Sequence, residues 1–248
     1  MATVKEPTML VDQSLCVGCE ACSAVCKQIY ELPKGVFRTK IDTVETGSYP
    51  QVSINYNKKA CMHCEEAACV MACPTGACHK NDLGLTIIDD SLCIECNYCV
   101  ANCPFEAITF DRGEGRMEKC DLCATRLQEE REPLCADVCT SRIIKFGERE
   151  EMLRQALDRV EQLKENGYEE AQVYGINEMG GLRVLTVLSD TPEKYGLPKD
   201  PQAPLGLRLW KAIPLTPAVL IAGGLIVGAN YLYSRKIQDK LEDAQKSK

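Results

Sequence analysis

Histidine is nearly absent: His63 and His79 are the only two in 248 residues, and no Cys-x-x-Cys-His occurs. The chain therefore cannot supply paired histidines to several haems or attach haem covalently. Aromatic residues make up only 6% of the total, with a single tryptophan, and positive charge is in deficit. Against 36 Asp and Glu stand 29 Lys and Arg, a formal net charge of -7. A surface without a basic excess suits phosphate backbones poorly, so nucleic acid is not expected as a partner. No nucleophile–base pair and no nucleotide-binding glycine loop can be picked out, which argues against catalysis by this chain alone. Near the N-terminus the only apolar run is Met9-Leu10-Val11, too short for the h-region of an export signal.

Cysteine, by contrast, is abundant. Sixteen of seventeen fall into four groups: Cys16, Cys19, Cys22 and Cys26; Cys61, Cys64, Cys69 and Cys73; Cys93, Cys96, Cys99 and Cys103; Cys120, Cys123, Cys135 and Cys139. The third group reads C-x2-C-x2-C-x3-C-P, ending in Pro104, a ferredoxin spacing in which three cysteines hold one cluster and the fourth reaches across to its neighbour. Four groups are ligand enough for four [4Fe–4S] clusters, and closely placed clusters conduct electrons. A disulfide framework belongs to short secreted chains that lack a core, and this chain is too long and too apolar for that class. Structural zinc takes cysteine pairs separated by a longer loop, not a third cysteine two residues on followed by x3-C-P. Four thiolates satisfy each site, so His63, inside Cys61-Met-His-Cys64, reads as a loop residue near a cluster and not as a ligand.

An internal repeat accompanies the groups. Residues 10–26 laid over 87–103 match LVDQSLC with IIDDSLC and then align all four cysteines. Each unit opens on a short aliphatic strand and passes Asp and Ser turn residues into a cysteine loop whose backbone amides can face cluster sulfurs. After the last cysteine of the later groups, Cys78 falls where Ile108 and Ile144 stand, which makes the seventeenth cysteine a small apolar core residue. Spacing does not force the pairing of groups. A nested arrangement would place Cys61, Cys64, Cys69 and Cys103 on one cluster, and Cys93, Cys96, Cys99 and Cys73 on the next. The outer groups would then give Cys16, Cys19, Cys22 with Cys139, and Cys120, Cys123, Cys135 with Cys26. This nested arrangement is the one expected, and pairing first with second and third with fourth is also allowed by the sequence.

Between Cys26 and Cys61, Pro33, Gly35, Gly47 and Pro50 mark loops with at most a short strand at 52–56. From 148 to 164, Met152, Leu153, Ala156, Leu157, Val160 and Leu163 recur at helical spacing, and Gly167 supplies a stop. Residues 182–188 form an aliphatic strand with Val184, Thr186 and Leu188 on one side. Lys58, Lys59, Arg116 and Lys119 flank cysteine groups and could raise nearby cluster potentials, although screening favours reading them as solvated surface charge.

No residue from 212 to 234 is charged, enough at about 1.5 Å per residue to cross a hydrocarbon core of about 30 Å. Trp210 and Lys211 stand at one end, and Tyr231, Tyr233, Arg235 and Lys236 at the other. The basic tail places the C-terminus in the cytoplasm and the cluster region on the outer, periplasmic face of the inner membrane. Gly224 and Gly228 form a G-x-x-x-G helix-packing motif. With no leader of its own, the cofactor-loaded region would cross folded, bound to an obligate partner.

With the cysteine groups, the Cys73-Pro74 and Cys103-Pro104 steps and the anchor in view, the chain resembles the four-cluster iron–sulfur subunits that accompany molybdenum or tungsten oxidoreductases and some nickel–iron hydrogenases. The later stretches Val173-Tyr-Gly-Ile-Asn-Glu-Met-Gly-Gly181, Val184-Leu-Thr-Val-Leu188, Tyr195-Gly-Leu-Pro198 and Trp210-Lys211 are similar to the beta subunit of membrane-bound formate dehydrogenase. Lys27 and Thr140 depart from the proline often found after such cysteines, and the chain is compact for the type.

The resemblance implies the nested pairing and a non-catalytic electron-transfer role. It also implies a catalytic partner with a molybdenum or tungsten bis-pyranopterin site, whose twin-arginine signal directs export, and a cytochrome b or equivalent quinone-reactive partner in the bilayer. The expected architecture is α+β: two interleaved two-cluster ferredoxin-like domains, a C-terminal extension and one transmembrane helix. The outer domain takes residues 1–57 and 111–147, the inserted one 58–110, the extension 148–209, the transmembrane helix 210–234 and the tail 235–248. A nickel–iron hydrogenase electron-transfer subunit and a membrane-tethered ferredoxin with no fixed enzyme partner are the alternatives.

Overall fold

The computed structural model describes residues 4–212. The expected membrane span beyond residue 212 and the tail after it lie outside the described residues. Among the described residues no helix is long and apolar enough to cross a membrane.

Strand β1 (Pro7–Asp12) leads through a 3-10 turn into the first cysteine group, whose last two members ride on α1 (Ala21–Ile29). A long hairpin follows, β2 (Thr39–Ser48) and β3 (Gln51–Ala60). In the second group Cys69 lies on the short helix α2 (Ala68–Ala72). A hairpin of β4 (Cys78–Lys80) and β5 (Thr86–Ile88) then enters the third group, with Cys99 on α3 (Tyr98–Ala101). β6 (Thr109–Asp111) and β7 (Arg116–Glu118) repeat that hairpin ahead of the fourth group, flanked by α4 (Ala124–Gln128) and α5 (Leu134–Asp137). β8 (Ile144–Glu148), α6 (Arg149–Glu165), β9 (Gln172–Tyr174) and β10 (Val184–Leu188) follow. These elements belong to one compact unit ending at Pro204; α7 (Leu205–Ala212) opens a second.

The main sheet has the order β8-β1-β10-β9, with β1 parallel to β10 and the other pairs antiparallel. β1 ends just before Cys16 and β8 begins just after Cys139, with Val11 opposite Ile144. Antiparallel pairing therefore carries the first and fourth cysteine groups to the same edge. The second and third groups meet through the β4–β5 hairpin, where Cys78 faces Ile88. The extension after Glu148 is built into this sheet through β9 and β10, so it shares the core of the cysteine region.

Period-two alternation sorts the sheet's side chains between two faces. Leu10, Leu185 and Val187 pack beneath α6 against Met152, Ala156, Val160 and Leu163. Met9, Val11, Val184 and Leu188 point the other way, into a core with Tyr174, Leu122, Cys22, Cys61 and Cys135. β10 is buried along its whole length, because α6 covers one face and the cysteine core the other. Helix α6 begins with Glu150 and Glu151, ends near Lys164 and is closed by Gly167 at φ 91°, as its sequence indicated. Arg159 on α6 pairs with Asp12 at 2.8 Å, tying the helix to the entrance of the first group.

One segment differs from expectation. The short strand foreseen at 52–56 is half of a ten-residue hairpin ladder, running from Thr39 opposite Ala60 to Ser48 opposite Gln51. Val52, Ile54 and Tyr56 give the alternation read as a strand, but Val52 and Ile54 are each 49% exposed and the rest of the ladder is mostly polar, which conceals its length. Gly47, at φ 90°, permits the tight tip, since a Cβ there would lie 2.2 Å from the Gln51 carbonyl oxygen.

The repeat is also visible in the backbone. Asp12 Oδ1 accepts from the Ser14 amide at 3.1 Å and Asp89 Oδ1 from the Ser91 amide at 2.9 Å. The left-handed residues Gly18 and Glu20, at φ 66° and 59°, have counterparts in Glu95 and Asn97, at φ 57° and 60°. Gly18 has a second requirement, because a Cβ there would stand 2.5 Å from the Tyr56 ring.

Leu185 is fully buried between α6 and the cysteine core. Leu185→Ala is expected to cost about 2–5 kcal/mol of stability, read as a lowered thermal midpoint of the anaerobically purified protein.

Candidate metal centres

The sixteen cysteines converge in four quartets. Cys26, Cys120, Cys123 and Cys135 line one cavity, with Met9, Leu122 and Lys58 in its wall. Cys73, Cys93, Cys96 and Cys99 line another. Cys16 interacts electrostatically with Cys22, Cys19 and Cys139, and Cys19 Sγ lies 3.5 Å from Oγ1 of Thr140, the residue after Cys139. Cys64 interacts in the same way with Cys61, Cys69 and Cys103. Each quartet thus joins three cysteines of one group to the last cysteine of another.

The quartets also have neighbours. Cys135 and Cys22 both interact with Lys58, Cys120 interacts with Cys61, and Cys99 with Cys69. The spatial sequence therefore starts at the Cys16 quartet, passes through the Cys26 and Cys61 quartets, and ends at the Cys73 quartet. Each end keeps an exposed cysteine, Cys19 at one and Cys96 at the other.

Burial disfavours the thiolate and pushes Cys135 up to about 12 and Cys99 up to about 11. Cys26 and Cys64 rise further for the same reason, and Cys69 rises mainly through its hydrogen bond with Cys78. Exposed Cys19 moves down, because the Ala21 amide and the Thr140 hydroxyl donate to it. Burial alone would raise Cys73, but the Cys78 amide and the Thr75 hydroxyl outweigh it and lower the thiol.

Loops arrange such donors at other sites. The Leu122 amide stands 3.4 Å from Cys120 Sγ, and the Cys78 amide 3.4 Å from Cys73 Sγ. Leu122 and Cys123 both have positive φ; the Leu122 amide turns to Cys120 Sγ and the Cys123 amide to Asp121 Oδ1 at 2.9 Å. A metal requires its thiols deprotonated, so these donors and any nearby cation favour loading.

Two lysines supply buried positive charge. Lys58 and Lys119 are only 6% and 4% exposed, so the reading of both as solvated charge is corrected. Burial alone would lower each pKa; for Lys58 the thiolates of Cys135, Cys120, Cys22 and Cys26 prevail and raise it, and for Lys119 those of Cys61, Cys120 and Cys69 do. The Lys119 ammonium also donates to the carbonyls of Thr86 and Cys120. Lys59 and Arg116 are partly exposed and ion-paired, with Glu106 and Glu118 respectively. The sequence signal was faint: Lys58 and Lys119 sit close before Cys61 and Cys120, and nothing local shows what covers them.

His63 is fully buried. Its Nδ1 accepts from the Thr86 amide at 3.2 Å, which assigns the proton to Nε2, and Nε2 has no partner among the described residues. Burial first, then Lys119 and Lys58, hold its pKa well below the usual value, so it is neutral. A neutral ring offering an orphan N–H beside Cys61 and Cys64 suits a sulfur acceptor. Cys78 packs with Ala67, Ile108 and Met117, the apolar setting foreseen for it. Lys27, one of the two departures from proline, donates to the carbonyls of Pro33 and Val36 and closes the loop after α1.

The donor set is all-thiolate, which selects zinc or iron–sulfur chemistry. Among the described residues no three His, Cys, Asp or Glu side chains converge closely enough to hold a single ion. Three cysteines of one group joined by the last cysteine of another, with Pro104 after Cys103, is the sharing expected of paired cubanes and not of a zinc site. The residues present fit [4Fe–4S] groups.

Fold and site together define an iron–sulfur protein of the dicluster ferredoxin class. Family models for the 4Fe-4S dicluster domain match residues 52–149 and 15–77. The chain is 36% identical to the iron–sulfur subunit of the nitrate-inducible formate dehydrogenase of Escherichia coli, covering 96% of this chain and 90% of the relative. To the formate dehydrogenase iron–sulfur subunit of Haemophilus influenzae it is 35% identical, covering 96% and 84%. The thiosulfate reductase electron transfer subunit of Salmonella typhi is 38% identical over 58% of this chain and 76% of its own length. The chain belongs to the family of formate dehydrogenase iron–sulfur subunits. It is a non-catalytic electron-transfer subunit and carries [4Fe–4S] clusters.

A carboxylate braces the Cys26 quartet. Glu118, 2% exposed, lies 2.6 Å from Arg38 Nε and 2.7 Å from Arg116 Nε, and Arg38 reaches on to Asp121 and stacks over Tyr30. Glu118→Gln removes the buried carboxylate the two arginines share, leaving Arg38 with Asp121 and Arg116 with the more exposed Glu114. It is expected to destabilise the protein by about 3 kcal/mol, measured by thermal unfolding, and to release iron from the Cys26 quartet first.

Proposed function

We propose that this chain carries electrons within a formate-oxidising complex, its sixteen group cysteines holding four [4Fe–4S] clusters in the nested pairing of the quartets. Identity to formate dehydrogenase iron–sulfur subunits over 96% of the chain carries this reading. The donor is a catalytic subunit with a molybdenum or tungsten bis-pyranopterin site, and the acceptor a membrane cytochrome b or equivalent quinone-reactive subunit. The domain division, residues 1–57 with 111–147 around an inserted 58–110, draws support from the β1–β8 pairing. The uncharged run at 212–234 serves as an inner-membrane anchor, with the cluster region on the outer face and the C-terminus in the cytoplasm.

Such clusters, when bound, take up and release single electrons at potentials between about −700 and +450 mV. The polypeptide's own work is to hold them, exclude water and direct hydrogen bonds at sulfur. The two interior quartets are covered by the sheet and the β3 strand. At the ends, exposed Leu15 and Val17 flank Cys16, and exposed Leu92 and Ile94 flank Cys93, apolar rims suited to docking redox partners.

Metal analysis of the native complex tests the partner: molybdenum or tungsten with formate:dye activity is expected, whereas nickel with hydrogen uptake, or neither metal, would reject it. Single Cys→Ser variants test the pairing. Cys26→Ser and Cys123→Ser should abolish the same EPR component, and Cys139→Ser the same one as Cys16→Ser, with iron falling from about sixteen to about twelve per chain.

A further inference from the structure

We propose that Lys58 and Lys119 are potential-setting residues, buried cations at the first two junctions of the quartet series. On this reading the Cys26 quartet, flanked by both, is the most easily reduced of the four. The proposal rests on the cluster reading above and goes beyond it.

The placement carries the argument. Lys58 lies on β3 and lines the cavity of the Cys26 quartet, and its electrostatic partners include Cys22 of the Cys16 quartet as well as Cys26, Cys120 and Cys135. Lys119 ends the stretch after β7 and interacts with Cys120 on one side and with Cys61 and Cys69 on the other. At the third junction the residue between quartets is Cys78, whose amide donates to Cys73 Sγ and whose thiol contacts Cys69. The strongest influences on Cys73 and Cys99 are burial, thiols, the Thr75 hydroxyl and backbone amides, with no lysine among them.

Reduction adds one negative charge to a cluster. A nearby ammonium stabilises that added charge, and burial spares the interaction most of the screening it would suffer at the surface. The Cys26 quartet interacts with both lysines, the Cys16 and Cys61 quartets chiefly with one each, and the Cys73 quartet lies beyond them. Each lysine also offsets repulsion between electrons on adjacent clusters, which matters where a two-electron donor feeds a one-electron series.

The test is an EPR-monitored redox titration of the native complex carrying Lys58→Met or Lys119→Met, with components assigned by the Cys→Ser variants. Lys58→Met should lower the reduced-to-oxidised ratio of the Cys16 and Cys26 clusters about tenfold at a fixed potential, a fall of about 59 mV for one electron. Lys119→Met should do the same to the Cys26 and Cys61 clusters, and neither should move the Cys73 cluster. Lys58→Arg keeps the charge and should keep the parent midpoints. Unchanged midpoints, an equal fall in all four clusters, or a Lys58→Arg variant that shifts or loses iron as Lys58→Met does would overturn the proposal. Iron content and EPR integration of the parent complex report separately on the cluster reading itself.

Discussion

The structure depends on keeping thiolates ionised where water is scarce. Cys22, Cys26, Cys61, Cys69, Cys123 and Cys135 are all buried, and a buried thiol left alone stays protonated and inert. Inward-turned amides at Cys120 and Cys73, a hydroxyl at Thr140 and two interior ammonium groups oppose that tendency. Much of the irregular backbone follows from the same need. The positive φ values at Gly18, Glu20, Glu95, Asn97, Leu122 and Cys123 all fall within cysteine loops, where the chain curls and amides such as those of Gly18 and Leu122 come to face a sulfur.

The sheet stands one step further out. Its face toward α6 is an ordinary aliphatic interface, and its other face insulates the sulfur-bearing core with Met9, Val11, Val184 and Leu188. The extension after Glu148 is part of that insulation. The Arg183 amide donates to the Met62 carbonyl, and the Glu65 amide to the carbonyl of Gly181, so residues near β10 clamp the Cys61–Cys64 loop. Tyr174 adds an edge-on contact with Phe105, at 6.4 Å between centroids, beside Cys103. A stretch without a single ligand thus supports the Cys61 quartet.

Much of the fold was legible residue by residue. The 3.6-residue spacing from Met152 to Leu163 marked α6, because the helix has one dry face and one wet face. The strand near residue 184 was legible for its run of aliphatics, and the repeat of Asp12 and Ser14 as Asp89 and Ser91 announced the same turn twice. The β2–β3 hairpin was only partly legible: Val52, Ile54 and Tyr56 marked the strand at 52–56, but the pairing that extends it to ten residues runs through mostly polar positions. The burial of Lys58 and Lys119 was hidden for a different reason: what covers them comes from segments far along the chain.

The grouping of the cysteines and the local loop chemistry were therefore determined by the sequence, because members such as Cys16, Cys19 and Cys22 stand three residues apart and stay within reach of one another whatever the rest of the chain does. Which distant cysteine stands beside which three, Cys139 beside Cys16 and Cys26 beside Cys120, was decided only in three dimensions. The antiparallel pairing of β1 with β8 joins segments more than a hundred residues apart, and no local pattern encodes that choice. The same long-range closure turns two lysines that look like surface charge into interior cations.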